Sequence, residues 1–208
     1  RLRFLLNEMP GIRYKKIVQT VSYLPHFIST VVVCGMVVNF LANSGPINDV
    51  IVALGGQRIQ FLMEAKYFRT IYIVSGIWQN TGWDSIIYLA ALSSISVDLY
   101  EAATVDGASK FKRMIYIDIP CILPTATILL IMNMGSIFSL GFEKIYLMQN
   151  SLNLPVSETI NTYVYKQGIV GGKYSYSAAI GLFNTVINFV ILLTVNKIAG
   201  KMGDTSLF

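Results

Sequence analysis

Two stretches, Ile119–Phe142 and Tyr174–Asn196, contain no Asp, Glu, Lys or Arg. A helix needs about 20 such residues to cross the hydrocarbon of a bilayer. A third stretch, Phe27–Asn48, is also uncharged, and a fourth, Thr70–Val97, carries only Asp84. Four membrane spans are therefore expected. The first is short, bounded by Pro25 and by the turn-like Asn43–Pro46. The second is expected to be interrupted, because Gln79, Asn80, Thr81, Gly82 and Asp84 fall in its middle. Composition agrees: 13% of residues are charged and the mean hydropathy is +0.58, against about 25% charged in soluble domains.

The net charge of +5 would suggest nucleic acid in a soluble protein. Here the basic residues flank the apolar runs instead. Arg1, Arg3, Arg13, Lys15 and Lys16 precede the first, Lys110, Lys112 and Arg113 lie between the second and third, and Lys197 and Lys201 follow the fourth. The alternate loops, Asn43–Arg69 and Glu143–Lys173, mix signs. Basic loops stay on the cytoplasmic side, so both ends and the loop around residue 110 are expected there. Cys34 and Cys121 lack CxxC spacing, sit among apolar neighbours, and are expected as buried free thiols. The single histidine, His26, excludes an HExxH zinc site. RLRFLLNEM has no signal-peptide character and reads as the end of an opened helix.

The cytoplasmic loop is the unusual segment: EAATVDGASKFKRMIYIDIP, Glu101–Pro120. Asp98 is expected to cap a short helix, with Glu101 reaching back as in a capping box. Leu99–Val105 forms that helix and Gly107 ends it in a left-handed bend. Ala108–Ile117 is a second, amphipathic helix, and Pro120 opens the next span. Connectors are usually short; one with its own caps and two alanines on its surface suits the docking of a partner. Between Gln149 and Lys173, ETINTYVYKQGI is either a short helix or a surface-lying segment.

This loop resembles the EAA motif of the membrane subunits of bacterial binding-protein-dependent ABC importers. That pattern is Glu-Ala-Ala, three residues, Gly, nine residues, then Ile-x-Leu-Pro. Here it is Glu101-Ala102-Ala103, Gly107 and Ile117-Asp118-Ile119-Pro120, with Ile119 for Leu as the one departure, a volume-conserving exchange. GIWQNTGWDSIIYLAALSSISVDLYEAA, YLPHFIS, NTYVYKQGI and the closing SLF are similar to the carbohydrate-uptake branch, including permeases for oligosaccharides.

The resemblance implies an all-α, polytopic transmembrane bundle of the type I ABC importer permease fold, with four spans present of six. Residues 1–208 then form one permease domain, starting inside the second span and ending naturally at Phe208, with residues 98–120 as the coupling-helix loop. It implies a transport subunit of the bacterial cytoplasmic membrane, not an enzyme. It forms half the path for a sugar or oligosaccharide delivered by an extracytoplasmic binding protein. The implied partners are a cytoplasmic ABC ATPase dimer, a second and different permease, the binding protein and the lipid bilayer, with no nucleic acid. Glu101, Ala102, Ala103, Asp106, Gly107, Ile117 and Pro120 are the implied coupling residues. No GxxxxGK[ST] phosphate loop occurs, so ATP and Mg belong to the partner ATPase and the chain itself binds no cofactor.

Polar residues within spans are functional candidates by default. Trp78, Gln79, Asn80, Trp83 and Asp84 combine aromatic faces with amide and carboxylate groups that suit a sugar ring. A structural hydrogen bond explains Asp84 equally well. Asn133, Ser136 and Ser139 either line a path or hold helices together, the second being preferred, and Asn184 and Asn188 share that ambiguity. For His26, capping or an interfacial position is preferred to proton relay. The alternative function is an ion-coupled secondary transporter. It fits less well, since no internal repeat is evident and one Asp is thin for ion coupling. An intramembrane enzyme lacks an acid–base pair.

Overall fold

The computed structural model describes residues 12–139 and 141–202. The expectations placed on Arg1, Arg3, the RLRFLLNEM start and the closing SLF lie outside the described residues. Among those described, all regular structure is helical. The helices are α1 (Ile12–Tyr23), α2 (Thr30–Phe40), α3 (Pro46–Ala53), α4 (Ala65–Ser93), α5 (Val97–Val105), α6 (Lys110–Arg113), α7 (Ile119–Met134), α8 (Phe142–Met148), α9 (Leu154–Ser157), α10 (Ile160–Tyr165) and α11 (Tyr174–Met202). A 3₁₀ turn occupies Leu24–Phe27, and π-helical turns occupy Met114–Asp118 and Lys166–Val170. The chain divides into two units: residues 1–23, 81–137 and 187–208, and residues 24–80 and 138–186.

Two helices are long and apolar enough to cross a membrane, Lys110–Met134 and Tyr174–Lys201. Two further crossings require a broken pair each, Lys16–Phe27 with Thr30–Phe40 and Ala65–Ser93 with Val97–Val105. The third expected span is thus displaced toward the N-terminus: it begins at Lys110 and stops at Met134, where Gly135 caps it, rather than running to Phe142. The first expected span is not one helix. α2 has 11 residues, roughly 16 Å at 1.5 Å per residue, about half a hydrocarbon core. Ser29 starts it by accepting from the Val32 amide, and Gly45-Pro46 starts a separate helix after it. Hydropathy sums composition and does not register these caps.

The second expected span corrects the other way. Its polar middle breaks nothing: α4 runs unbroken for 29 residues. Asn80 Nδ2 donates to the Gly76 carbonyl at 3.2 Å and Ser85 Oγ to Gly82 at 2.6 Å. These side chains find acceptors on their own helix, so the backbone ladder is kept.

In the first unit, Leu92, Ile122 and Ile131 are buried. Gly82 lets α1 approach α4: a Cβ there would stand 2.0 Å from the Ser22 carbonyl oxygen, the close backbone approach that small residues permit between membrane helices. Cys121 is exposed on α7 while Cys34 is buried, and both are free. The expectation of burial fails for Cys121 because the outward face of a membrane helix is itself apolar, so apolar neighbours do not imply an interior position.

In the second unit, Cys34, Phe68, Ile145 and Met148 form a core, with Val37, Leu62, Ile71, Tyr72 and Val156 packed on it. The segment after α10's Thr159 cap resolves as helix: Thr159 and Thr162 make a reciprocal capping box. Two buried asparagines tie loops together. Asn48, fully buried, donates to the carbonyls of Ala42 and Ile59, both at 2.9 Å, and accepts from the Ile59 amide at 2.7 Å. Asn153 donates to Leu62 and Met148 and accepts from the Asn150 amide. We predict that Asn48→Ala, which removes three hydrogen bonds made by a fully buried side chain and leaves the Ile59 amide and carbonyl without theirs, destabilises the protein by about 2–3 kcal/mol. The Ile59 amide should then exchange with solvent at least about 10-fold faster; unchanged exchange would refute the role.

α11 is polar inside and apolar outside. Ser177, Asn184 and Asn188 are buried, while Leu182, Phe183, Val186, Phe189 and Val190 are exposed. That inversion suits lipid contact. Asn184 Nδ2 lies 3.5 Å from the Phe138 carbonyl, which favours helix-to-loop fastening over path lining for this residue.

Candidate functional site

The Glu101–Pro120 loop is built from three caps. α4 ends at Ser93, and the chain turns by 69° before α5. Ser96, not Asp98, is the N-cap: its Oγ accepts from the Asp98 amide at 3.2 Å and donates to the Asp98 carboxylate at 3.0 Å. No capping box through Glu101 forms. Two residues upstream, a hydroxyl reaches the same donors first, and the Asp98 charge sits in the first turn, where the helix dipole favours it.

α5 closes as a Schellman motif. The Gly107 amide donates to Thr104 at 3.1 Å and the Ala108 amide to Ala103 at 2.8 Å. Gly107 has φ of +72°, the left-handed geometry expected for it. Ser109 caps α6 by accepting from the Lys112 amide.

The second loop helix does not lie apart from the span: Lys110–Met134 is one continuous helix. A π turn at Met114–Asp118 joins α6 to α7, with the Ile119 amide bonding Met114 five residues back. Pro120 has no amide to give the next bond, and the widened turn just before it shifts the hydrogen-bonding register at that point. Pro120 therefore sits inside a helix whose first turn is seven residues earlier.

Two contacts fasten α5 to this helix. Tyr100 Oη donates to Asp118 Oδ1 at 2.5 Å, and Arg113 Nη1 donates to Thr104 Oγ1 at 3.3 Å. Asp118 is buried, so the short hydrogen bond to it is charge-assisted in a sheltered position. Tyr100→Phe is predicted to raise amide exchange across Glu101–Gly107 about 10-fold, the effect of losing one hydrogen bond to a buried charged group; unaltered protection would show that the loop is held by other means.

Among the exposed residues of the loop are Glu101, Ala102, Val105, Asp106 and Gly107 from α5 and its cap, and Phe111 from α6. Val105 is 88% and Phe111 66% exposed. Ala103 and Ile117 are half-buried and Pro120 is exposed. Val105 and Phe111 were not singled out from sequence; apolar residues at positions where a short helix has nothing beneath it were the available signal.

A second site lies in the second unit, a cavity of about 770 Å³ lined by residues of the His26–Thr30 segment, α4 and the start of α8. Gln79 and Asn80 both line it. His26 does too, its Nδ1 3.2 Å from Asn80 Oδ1. Trp78 lines a separate apolar groove with Val33 and Met36. Trp83, Asp84, Asn133 and Ser136 are exposed and belong to the other unit. Lys144, buried at 8% exposure, joins the cavity from α8.

The family model for "binding-protein-dependent transport system inner membrane component" matches residues 5–203. The chain belongs to this family. As a permease-family chain it is 45% identical over its whole length to Protein LplB of Bacillus subtilis (strain 168), covering 65% of that protein. It is 40% identical over the same length to the polygalacturonan/rhamnogalacturonan transport system permease protein YteP of the same organism, again 65% of that protein. The chain thus spans somewhat under two thirds of these relatives. Among solved structures it superposes on a bacterial ABC transporter involved in import of the acidic polysaccharide alginate. The TM-score is 0.94 at 43% identity, over 96% of this chain and 70% of that one. A bacterial alginate ABC transporter in complex with an alginate pentasaccharide-bound periplasmic protein gives a TM-score of 0.96 at 42% identity, over 99% and 72%. The all-helical permease fold expected from the sequence is the fold of this family.

Proposed function

We propose that the chain is the greater part of a transmembrane subunit of an ATP-driven importer, forming half the translocation path for a sugar or oligosaccharide. The observation that carries this reading is the Glu101–Gly107 segment: a capped, exposed helix with a left-handed glycine, fastened to a membrane helix through Tyr100 and Asp118. A push on such a segment moves the span with it. The relatives named for polygalacturonan/rhamnogalacturonan and alginate transport support a glycan substrate.

In this reading a cytoplasmic ATPase dimer docks on the face, with Glu101, Ala102, Ala103, Asp106 and Gly107 in contact and Ile117 and Pro120 forming the joint to the span. ATP and Mg are bound by that partner. A second, different permease completes the path, and an extracytoplasmic binding protein delivers the sugar. The chain sits in the bacterial cytoplasmic membrane with both ends and the docking face on the cytoplasmic side. Gln79 and Asn80 meet substrate in the cavity; Trp78, Trp83, Asp84, Asn133 and Ser136 contribute to the path from other positions.

The test is gentle detergent purification of the complete subunit from its native membrane, with mass spectrometry of what accompanies it. An ATPase bearing a phosphate loop and a second permease are the expected companions. A subunit that emerges alone at every detergent strength would overturn the proposal.

A further inference from the structure

Lys144 is the anomaly of the second unit. Its side chain is 8% exposed, and its Nζ is buried with no hydrogen-bond partner. The ammonium reaches from α8 to the α4 wall of the cavity. There it lies 5.6 Å from the centre of the Tyr72 ring, and 3.7 Å from where a Cβ on Gly76 would stand. Tyr72 and Gly76 line the same cavity.

A ring face at that distance attracts a cation but does not hydrogen-bond it. The three N–H donors stay unmet, and a buried unpaired charge is strongly unfavourable. Burial accordingly holds the Lys144 pKa below the ordinary lysine value. The other formally charged residue lining the cavity, Glu143, is exposed and does not hydrogen-bond the ammonium. An anion entering the cavity would satisfy what the protein leaves open.

The remaining lining selects the kind of anion. Phe27, an exposed aromatic, offers a ring, and Gln79 offers its amide oxygen, its Nε2 lying 3.5 Å from the Ile28 carbonyl, while Asn80 is held by His26 and the Gly76 carbonyl. Ring faces pack against the C–H surface of a pyranose, and amides suit its hydroxyls. A pyranose that also carries an anion is a uronic acid. We infer that Lys144 receives a sugar carboxylate, and that the chain serves the import of an acidic, uronate-containing oligosaccharide. This rests on the oligosaccharide-import reading above.

The experiment uses the complete permease assembled with its partner chains in vesicles of neutral lipid. The probes are galacturonate, mannuronate and guluronate trisaccharides, each beside its carboxyl-reduced neutral counterpart. Wild-type protein is expected to import at least one acidic trisaccharide about 10-fold faster than its neutral partner, as one charge-assisted contact allows. Lys144→Met should erase that preference by slowing acidic uptake alone, and Lys144→Arg should keep it. Membrane abundance of each variant controls for folding. The inference fails if wild-type protein shows no acidic preference, if Lys144→Met retains it, or if that variant slows both sugars equally, which marks a structural or lipid-binding lysine. If wild-type protein imports none of the sugars under ATP, the oligosaccharide reading itself fails and takes this inference with it.

Discussion

A Gly107→Asp permease is expected to accumulate in the membrane and to transport almost nothing. The residue holds φ of +72°, and a Cβ there would meet nothing within 4 Å. The substitution therefore strains the backbone without crowding a neighbour. A non-glycine residue in left-handed geometry is disfavoured by about 1–2 kcal/mol, tolerable for an exposed helix end. The added carboxylate stands on the face proposed to meet the ATPase. Loss of a central contact there, worth about 2 kcal/mol or more, lowers uptake at least about 30-fold. Gly107→Ala separates the two effects, since it carries the strain without the charge and should retain intermediate uptake. Wild-type uptake by the Asp variant would sink the docking assignment.

Gly82→Val is expected to act oppositely, through the fold. The new Cβ would stand 2.0 Å from the Ser22 carbonyl oxygen and 2.4 Å from its carbon. Those are backbone atoms, which no side-chain rotation can clear, so α1 or α4 must shift. Overpacking typically destabilises by 1–3 kcal/mol and occasionally more. At roughly 2–4 °C per kcal/mol for a chain of this size, a fall of roughly 2–12 °C in the unfolding midpoint in detergent is predicted, with reduced membrane abundance. Gly181→Ala is the control, because nothing lies within 4 Å of a Cβ at that position. A Gly82→Val midpoint equal to wild type would show that α1 and α4 do not need this approach.

These two glycines also show what a sequence conveys. Gly107 was legible because its role is local: the left-handed bend, the spacing to Glu101 and the following Ile-x-x-Pro all fall within twenty residues. Gly82 read as part of a polar interruption. Its actual role depends on Ser22, sixty positions earlier, and the helix through it is unbroken.

Caps were legible in kind but not in identity. Asp98 and Ser96 are both good N-caps, and the choice between them turns on where α4 stops. Span limits suffered similarly. The apolar window of the third span ran on through Gly135, where backbone geometry ends the helix, whereas the turn-like Asn43–Pro46 was read as a boundary and α2 stops just before it, at Phe40.

The cavity was the least legible feature. Gln79 and Asn80 stood out as polar residues in an apolar span. His26 stood out as the single histidine, but its contact with Asn80 did not, because it joins residues 54 apart. Lys144 sat in a loop of mixed charge and was not singled out. It is buried only because α8 packs on α2, with Cys34 Sγ lying 3.8 Å from the Lys144 carbonyl across 110 positions.

The central claim is that a partner's ATP hydrolysis drives movement through the Glu101–Gly107 face. The most direct measurement is uptake of labelled oligosaccharide into vesicles holding the complete assembly, with ATP supplied on the ATPase side and ion gradients imposed separately. Uptake is expected to follow ATP, to persist when every ion gradient is collapsed and to disappear in Gly107→Asp. Uptake driven by an ion gradient without ATP, and indifferent to Gly107→Asp, would contradict the central claim and put the ion-coupled transporter in its place.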